Sequence, residues 1–232
     1  ANAAPVACAP AAPAGTAPAP RNGHSLTLAA STGTAYIFGG ADDEGHRNDL
    51  HALSTRDGAP AAWSAPQCSG RPPAAREMHA AGMASPQALL IHGGRGGDAI
   101  FDDVHVLALD EFCWSGAIAS PVPVARVGHA TALIGGGGGG GGEGGGGCLL
   151  FFGGFNGSTF CNDTWHAADG GKELVKLGST GEQPQKKRFA HACAVLGSTL
   201  FVFGGSAKAG EVADLCVADA SAVLGASAVA IS

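Results

Sequence analysis

The chain has 232 residues, of which 39 are glycine, 14% are charged and 45% are hydrophobic, and its formal net charge is −6. A chain of this length can fold as one all-β domain with a sizeable core. The acidic balance, without a run rich in lysine and arginine, disfavours binding to nucleic acid or to a membrane surface. No apolar run is long enough to predict a membrane-spanning helix. We therefore expect no nucleic-acid partner and no membrane insertion.

The seven cysteines are widely spaced and form no Cys-x-x-Cys pair. This spacing predicts neither a disulfide framework nor a zinc site, and it favours an intracellular compartment over secretion.

Residues 1–20 form the first predicted segment, with ten alanines, five prolines and no charged side chain. Proline at this density blocks helix formation and favours an extended conformation. The segment is interpreted as a tail or linker, and the alternative is a strap laid along a partner.

From residue 21 onward the sequence repeats four times. Each repeat opens with Arg-x-x-His, continues with a hydrophobic run that ends in a glycine pair, and has an aspartate nine residues after the second glycine. The arginines are Arg21, Arg76, Arg126 and Arg188, and the histidines are His24, His79, His129 and His191. The glycine pairs are Gly39 and Gly40, Gly93 and Gly94, Gly153 and Gly154, and Gly204 and Gly205. The aspartates are Asp49, Asp103, Asp163 and Asp214.

Short runs of Phe, Ile, Leu and Val between glycine and aspartate predict strands, and a glycine pair lets the chain turn where a Cβ would clash. The aspartate that precedes the third strand is expected to accept hydrogen bonds from loop amides. Fourth strands are predicted near residues 62–63, 112–114, 174–175 and 223–224. Each repeat is then a four-stranded antiparallel sheet that has to stack on its neighbours to bury both faces.

These motifs resemble the kelch repeat, whose sheets are the blades of a β-propeller. The resemblance covers residues 21–232, with repeats at about 21–75, 76–125, 126–187 and 188–232. It implies an all-β fold with four recognisable four-stranded blades, arranged as a small closed ring, an open arc or part of a larger propeller. The aromatic residue expected in the third strand is present only as Trp165, since His51, His105 and Cys216 stand at the same position in the other repeats.

The third repeat carries an insertion at residues 135–147 that is glycine except for Glu143. Glycine loses the most conformational entropy on ordering, so the insertion is predicted to be a surface loop on the face opposite the loops between strands two and three. A phosphate-binding role is disfavoured, because no Gly-Lys-Ser/Thr follows.

Enzymes with kelch-type folds require residues that this sequence does not supply. The copper enzymes of this kind use two tyrosines, whereas this chain has only Tyr36, and the Glu-x-x-x-Asp-x-x-x-His string of the iron-holding kind is absent from the sequence. A ring formed by the four repeated histidines is the remaining metal hypothesis. Because every blade requires that histidine, a packing role within the blade is favoured. The sequence therefore predicts a non-catalytic protein without a cofactor.

The loops between strands two and three emerge on the same face as the segments that lead into strand one, so this face is the candidate protein-binding surface. The resemblance implies that the four repeated arginines reach an acidic ligand there, and the plainer alternative pairs each with a nearby Asp or Glu. The other candidates on this face are Arg47, Arg95, Asp98, Phe101, Phe155 and Phe160.

The sequence leaves three functions open. The favoured one is a structural or scaffold subunit of a larger protein assembly. The second is a substrate-recognition adaptor that binds acidic peptides through the arginine-bearing face. The third, a metal-dependent enzyme, would need the histidines to converge.

Overall fold

The computed structural model describes residues 13–54, 61–118, 123–134, 148–177 and 187–221. Within these ranges the protein consists of β-strands and one 3-10 turn at Asp169–Gly171. The predicted all-β propeller fold is confirmed, with four blades in chain order. The insertion at residues 135–147 and the predicted strand near residues 223–224 lie outside the described residues.

Blade one is a four-stranded antiparallel sheet in the order β1-β2-β5-β6. The hairpin β3-β4 projects from the loop between β2 and β5, and β7 follows the sheet. The strands are β1 Ser25–Ala29, β2 Thr34–Phe38, β3 Ala41–Asp42, β4 Gly45–His46, β5 Leu50–Ser54, β6 Ala62–Ser64 and β7 Ser69–Arg71.

Blade two has five strands in the order β7-β13-β12-β9-β8, with the hairpin β10-β11 between β9 and β12. Its strands are β8 Ala80–Ser85, β9 Ala88–His92, β10 Arg95–Gly96, β11 Ala99–Ile100, β12 Val104–Ala108 and β13 Cys113–Ala117.

Blade three has four strands in the order β14-β15-β16-β17, and the described part of blade four has three in the order β18-β19-β22 with the hairpin β20-β21. The blade three strands are β14 Ala130–Ile134, β15 Cys148–Phe152, β16 Thr164–Ala168 and β17 Glu173–Lys176. The blade four strands are β18 Ala192–Leu196, β19 Thr199–Phe203, β20 Ser206–Ala207, β21 Gly210–Glu211 and β22 Leu215–Asp219.

The first strands of the four blades line the propeller axis, because β8 contacts both β1 and β14, and β14 also contacts β18. Three apolar cores fill the spaces between successive blades. Among the described residues, the packing that joins β1 to β8, β8 to β14 and β14 to β18 has no counterpart of similar extent between β18 and β1. Blades four and one of the described residues are therefore not packed on each other as successive blades are, which corresponds to the open arc among the three arrangements that the repeats allowed.

The segments between repeats add strands to the blades, so each folded blade is offset from the sequence repeat. β7 belongs to the first repeat by sequence, yet it pairs in parallel with β13 and completes blade two. Ala14 pairs in the same way with Ala62 of β6, so the end of the predicted tail lies along blade one. The physical reason is that the outermost strand of each of these sheets has a free edge, and the preceding segment satisfies its backbone groups.

The glycine pairs end the second strands as predicted, and the structure shows what they pack against. Gly153 has φ +69, and a Cβ placed there would lie 2.7 Å from His191 Cε1 and 2.9 Å from the Arg188 carbonyl oxygen. Both of those atoms belong to the next blade. Glycine is therefore needed for its backbone conformation and also for the close approach of the following blade.

We expect Gly153→Ala to lower the free energy of unfolding by about 2 kcal/mol more than Gly170→Ala, since overpacking costs about 1–3 kcal/mol beyond backbone strain. Gly170 is the matched control, because it has φ +63 and a Cβ there would meet nothing within 4 Å. Chemical denaturation of both variants measures the difference. Equal losses would show that the next blade does not restrict Gly153.

Candidate interaction surfaces

Each repeated arginine is held by a bidentate ion pair with the aspartate of its own repeat. In blade three, Arg126 Nη1 donates to Asp163 Oδ1 at 2.7 Å and Nη2 donates to Asp163 Oδ2 at 3.0 Å. Nη1 also donates to the Gly153 carbonyl at 2.9 Å, and Nε donates to the Val124 carbonyl at 3.0 Å. The guanidinium thus fastens the segment before strand one to the glycine turn and to the start of strand three.

The other three blades repeat this Arg–Asp latch. Its shortest distances are 2.6 Å for Arg21–Asp49, 2.6 Å for Arg76–Asp103 and 2.7 Å for Arg188–Asp214. Burial by itself would raise the pKa of the Asp103 carboxyl, but the Arg76 and His105 hydrogen bonds lower it well below its ordinary value. The aspartates therefore accept from arginine, whereas the sequence predicted loop amides as donors.

The latch corrects the expected role of the arginines. The relative exposures of Arg76, Arg126 and Arg188 are 0%, 1% and 0%, and the Arg21 side chain is 5% exposed. A ligand on the surface cannot reach a guanidinium that is buried and already saturated by a carboxylate and a carbonyl. The plainer alternative, pairing with a nearby acid, describes all four arginines.

The residue two positions after the aspartate completes the latch. His51 and His105 each place Nε2 3.0 Å from Oδ2 of their aspartate, and Trp165 Nε1 donates to Asp163 Oδ2 at 2.8 Å. In blade four, Arg188 Nη2 donates to the Cys216 sulfur at 3.6 Å. In blades one to three this position therefore contributes a polar hydrogen to the carboxylate, which histidine supplies as well as tryptophan does.

The hairpin loops form the candidate face on the predicted side of the propeller. Backbone bridges join the segment before strand one to the hairpin loop in every blade, including Glu77 with Arg95 and Val127 with Phe155. Arg47 donates to Asp42 Oδ2 at 2.8 Å, Arg95 donates to Glu77 Oε1 at 2.8 Å, and Asp98 is exposed.

The predicted phenylalanines on this face mostly pack within the propeller. Phe101 lies over the Arg76 guanidinium, with 4.2 Å between the ring centroid and Cζ. Phe155 and Phe160 are half-buried with 5.1 Å between ring centroids, and Phe160 lies 5.6 Å from Phe189 of blade four. These last three rings form an aromatic contact between blades three and four.

The repeated histidines do not converge. His79 and His191 contact the preceding blade edge-on, against Phe38 at 5.4 Å and Phe152 at 5.2 Å between ring centroids. His129 Nε2 lies 2.8 Å from His92 Nδ1, and burial lowers the pKa of both imidazoles below the ordinary value. In the described ranges, no group of three or more His, Cys, Asp or Glu side chains is arranged to hold a metal ion.

One Cys–His pair was not predicted from the sequence. Cys148 Sγ lies 3.3 Å from His166 Nδ1, and both residues are buried. Burial raises the pKa of the Cys148 thiol to about 11, so the thiol stays protonated and is a poor nucleophile. The register of β15 with β16 brings the two residues together, and no fixed sequence spacing signals that pairing.

The open end of the arc is a second candidate surface. We define the outgoing face of blade four by four apolar residues, whose relative exposures are 76% for Leu196, 54% for Phe203, 58% for Leu215 and 59% for Val217. Phe203 pairs with Leu215 in the strand register of blade four, and Phe38 pairs with Leu50 at the equivalent positions of blade one. Phe38 and Leu50 are buried in the core between blades one and two. The outgoing face is therefore half of an interface between blades.

The fold and the repeated latch define the class of protein as a propeller built from kelch-type blades. A profile of the KLHDC2/KLHL20/DRC7 Kelch-repeats domain matches residues 7–138. This match covers more than half of the chain, and the chain belongs to the kelch-repeat family. Kelch-repeat domains are in general interaction domains and not enzymes.

Curated relatives carry the same resemblance over about half of the chain. The chain is 38% identical over 123 residues to acyl-CoA-binding domain-containing protein 5 of Arabidopsis thaliana, with 52% of this chain and 18% of that protein covered. It is 34% identical over 122 residues to the Rab9 effector protein with kelch motifs of Mus musculus, with 50% and 31% covered. It is 32% identical over 140 residues to host cell factor 2 of Homo sapiens, with 53% and 17% covered. The chain thus spans less than a third of the length of these relatives.

No helix in the described part of the chain is long and apolar enough to cross a membrane.

Proposed function

We propose that this kelch arc is a non-catalytic structural subunit, held in a larger protein assembly by the outgoing face of blade four. The observation that carries the proposal is the exposure of Leu196, Phe203, Leu215 and Val217, whose exposed fractions lie between 54% and 76%. A contiguous apolar surface on a soluble domain marks an interaction site. A permanent partner would remove this surface from water.

The names of the relatives support an interaction role. One is named an effector of Rab9, and another is named a host cell factor. Both names fit a domain that works by binding other proteins. They do not choose between a scaffold and an adaptor, so the choice rests on the surfaces of this chain.

The adaptor alternative has less support from the structure than from the sequence. The adaptor hypothesis requires the four repeated arginines to bind an acidic peptide, and three of the four are fully buried in latches. An adaptor would have to use the remaining exposed groups of the hairpin face, such as Arg95 and Asp98, and Arg95 is paired with Glu77.

The proposal is tested by Val217→Asp in the chain expressed with an affinity tag in the cells that make it. A carboxylate on the outgoing face would be buried without a partner in the assembly, so we expect the variant to be lost from the native particle. Size-exclusion chromatography and mass spectrometry after gentle purification measure the particle and its stoichiometry.

Val124→Asp is the matched control, because Val124 is 55% exposed, close to the 59% of Val217, and lies outside the outgoing face. This variant should stay in the particle. Retention of Val217→Asp at wild-type stoichiometry, or a wild-type chain that is a free monomer in its cells, would contradict the proposal.

A further inference from the structure

Successive blades of the arc are joined by one set of backbone hydrogen bonds, which occurs three times in the described residues. Between blades one and two, the Gly40 N–H donates to the Arg76 carbonyl at 2.8 Å and the Arg76 N–H donates to the Arg47 carbonyl at 2.9 Å. The repeated arginine therefore binds the preceding blade through both of its backbone groups. The same two bonds join Gly94 and Phe101 to Arg126, and Gly154 and Cys161 to Arg188.

The residue two positions after the arginine makes a third bond between blades. The Met78 N–H donates to the Gly23 carbonyl at 2.8 Å, and the Ala190 N–H donates to the Gly128 carbonyl at 2.7 Å. Met78 and Ala190 have φ values of 54° and 53°, a conformation that residues with a Cβ adopt only at a cost in free energy. Together with the histidine that follows, these bonds make the Arg-x-x-His segment the contact to the preceding blade.

Blade four presents the same backbone groups beside its outgoing face. The Val212 N–H donates to the Gly205 carbonyl at 3.0 Å. In blade one the Arg47 N–H donates to the Gly40 carbonyl in the same way, at 2.8 Å. Gly205 and Val212 are therefore the equivalents of Gly40 and Arg47. Among the described residues, none bonds to the Gly205 N–H or to the Val212 and Ala190 carbonyls.

Two side chains of the outgoing face are exposed where their equivalents in other blades are covered. Phe203 is 54% exposed, whereas Phe38 and Phe152 are 0% and 3% exposed beneath the histidine of the next blade. Leu215 is 58% exposed, whereas Leu50 is 6% exposed. The apolar half of an interface between blades is thus present and uncovered.

Gly204 keeps a space free for a carbonyl oxygen. A Cβ at Gly39, Gly93 or Gly153 would lie 2.9 Å or less from an arginine carbonyl oxygen of the next blade. At Gly204, whose φ of +68 is close to the +69 of Gly153, the nearest atom to a Cβ would be the Val212 carbonyl oxygen at 3.5 Å. The backbone of blade four therefore has the conformation that accommodates an arginine carbonyl.

We propose that the outgoing face of blade four binds the incoming side of a further kelch-type blade, which begins with an Arg-x-x-His segment. In this arrangement the backbone of the incoming arginine pairs with the Gly205 N–H and the Val212 carbonyl. The N–H two residues later pairs with the Ala190 carbonyl, and the histidine ring lies edge-on against Phe203. This inference rests on the proposed function and deepens it, because it names the surface that covers the outgoing face.

The three interfaces within the arc identify this occupant. An α-helix bonds its own backbone groups internally, so a helix could cover the apolar side chains but could not pair with one N–H and two carbonyls beside them. The Arg-x-x-His segment of a kelch blade makes all three backbone bonds at once in each described interface. The chemistry of the face therefore specifies a blade, and the experiment establishes which polypeptide carries it.

Photo-cross-linking in the cells that make the protein tests the proposal. Benzoylphenylalanine replaces Phe203 in the affinity-tagged protein, because the equivalents of Phe203 in blades one and three contact the histidine of the next blade. After irradiation and purification under denaturing conditions, we expect mass spectrometry to find a cross-linked peptide that contains Arg-x-x-His followed by a strand. The matched control has the same photo-reactive residue at Lys208, which is exposed in the same blade between β20 and β21 and should not give this product.

Two results of this experiment would overturn the inference. One is a cross-linked peptide without Arg-x-x-His, such as a segment of an α-helix. The other is a yield of the Arg-x-x-His product from position 203 that is no higher than the yield from position 208.

Gly204→Ala tests the shape of the occupant without introducing a charge. The added Cβ would meet the carbonyl of the incoming arginine, so the yield of the Arg-x-x-His product should fall at least about 5-fold relative to Gly170→Ala. Gly170 has φ +63, and a Cβ there would meet nothing within 4 Å. The photo-reactive residue is at Leu215 in this comparison, so that it is not adjacent to position 204, and circular dichroism establishes that both variants are folded. Equal yields would overturn the inference, because an occupant of another shape brings no carbonyl to this point.

The origin of the cross-linked peptide separates this inference from the proposed function. An Arg-x-x-His peptide from a second polypeptide supports both. The same kind of peptide from within the same polypeptide supports the inference and contradicts the proposed function, because no partner then covers the outgoing face. A peptide of another kind from a second polypeptide contradicts the inference and leaves the proposed function standing.

Discussion

Replacing Arg126 by methionine is expected to lower the free energy of unfolding by about 3–5 kcal/mol, the cost of removing one partner of a buried ion pair. Arg126 is 1% exposed and the Asp163 side chain is 21% exposed. Without the guanidinium, Asp163 keeps the Trp165 Nε1 donor among the described residues, and the Gly153 carbonyl loses the donor Arg126 Nη1. Urea denaturation followed by tryptophan fluorescence measures the loss.

Lys172→Met in the same blade provides the control, because Lys172 and Asp169 form an ion pair between side chains that are 78% and 71% exposed. Exposed pairs of this kind contribute about 0–1 kcal/mol. The loss of unfolding free energy in Arg126→Lys should lie between those of Arg126→Met and Lys172→Met, because lysine keeps the positive charge but cannot make the bidentate contact. If Arg126→Met is no more harmful than Lys172→Met, the latch is not a structural element.

A double variant measures how strongly the contributions of the two latch side chains depend on each other. The loss of unfolding free energy in Arg126→Met combined with Asp163→Asn should be smaller than the sum of the losses in the two single variants. Each single variant leaves an unpaired buried charge, whereas the double variant leaves none. Strict additivity would mean that the two side chains stabilise the blade independently.

We expect the protein to lose stability as the pH falls from 6.5 towards 4. Burial lowers the pKa of His79 and of His92 to about 3 and the pKa of His191 to about 4, from an ordinary value of 6.5. The unfolded chain therefore binds protons in this range that the folded chain does not bind. For a histidine with a folded pKa of about 3, the loss between pH 7 and pH 5 is about 2 kcal/mol. The stability is fully present above pH 6.5, and the lowered pKa values of the Asp49, Asp103 and Asp163 carboxyls add a further loss only below about pH 4.

His92→Phe tests this pH dependence at one residue. Phenylalanine stands at the equivalent position in the other three blades, at Phe38, Phe152 and Phe203. Protonated His92 would lie near Arg126 and Arg76, which both disfavour its charge. Removing the imidazole should reduce the difference in unfolding free energy between pH 7 and pH 5 by about 2 kcal/mol. The His129 ring loses its partner at both pH values, so the difference is compared and not the absolute stability.

Thermal and urea denaturation of both proteins at pH 7 and pH 5 provide the comparison. Parallel pH profiles for wild type and His92→Phe would assign the acid sensitivity to other groups.

Much of the fold could be predicted from the sequence because the repeated motif determines where the strands of every blade begin and end. The Arg-x-x-His start, the glycine pair and the aspartate nine residues later mark three of the four strands in each blade. The same order of strands placed the hairpin loops beside the segments before strand one, and the backbone bridges confirm this arrangement.

The burial of the arginines could not be predicted in the same way. The residues of each pair are far apart in sequence, with separations of 28, 27, 37 and 26 residues, and the value of 37 includes the insertion. Whether a guanidinium at a loop points outward or towards a carboxylate depends on the packing of the next blade. A constant distance between two motifs shows that both are structural, but it does not show that they touch.

The segments between repeats were missed because the most visible motif is not the boundary of the folded unit. The overlooked signal is a glycine six residues before the arginine, at Gly15 and Gly70. Both have positive φ, and a Cβ on either would lie 2.2 Å from a tryptophan carbonyl oxygen, of Trp63 and of Trp114. These glycines bring the preceding segment close to the outer strand of the blade.

The pairing of β7 with β13 changes where the chain can be divided. A fragment that begins at residue 76, the start of the second Arg-x-x-His motif, would lack β7 and expose the backbone edge of β13. Exposed strand edges template pairing between molecules and promote aggregation. A fragment that begins before Ser69 keeps its own edge strand. The unit for excising, grafting or permuting a blade of this protein is therefore offset from the sequence repeat, and it starts in the linker that precedes it.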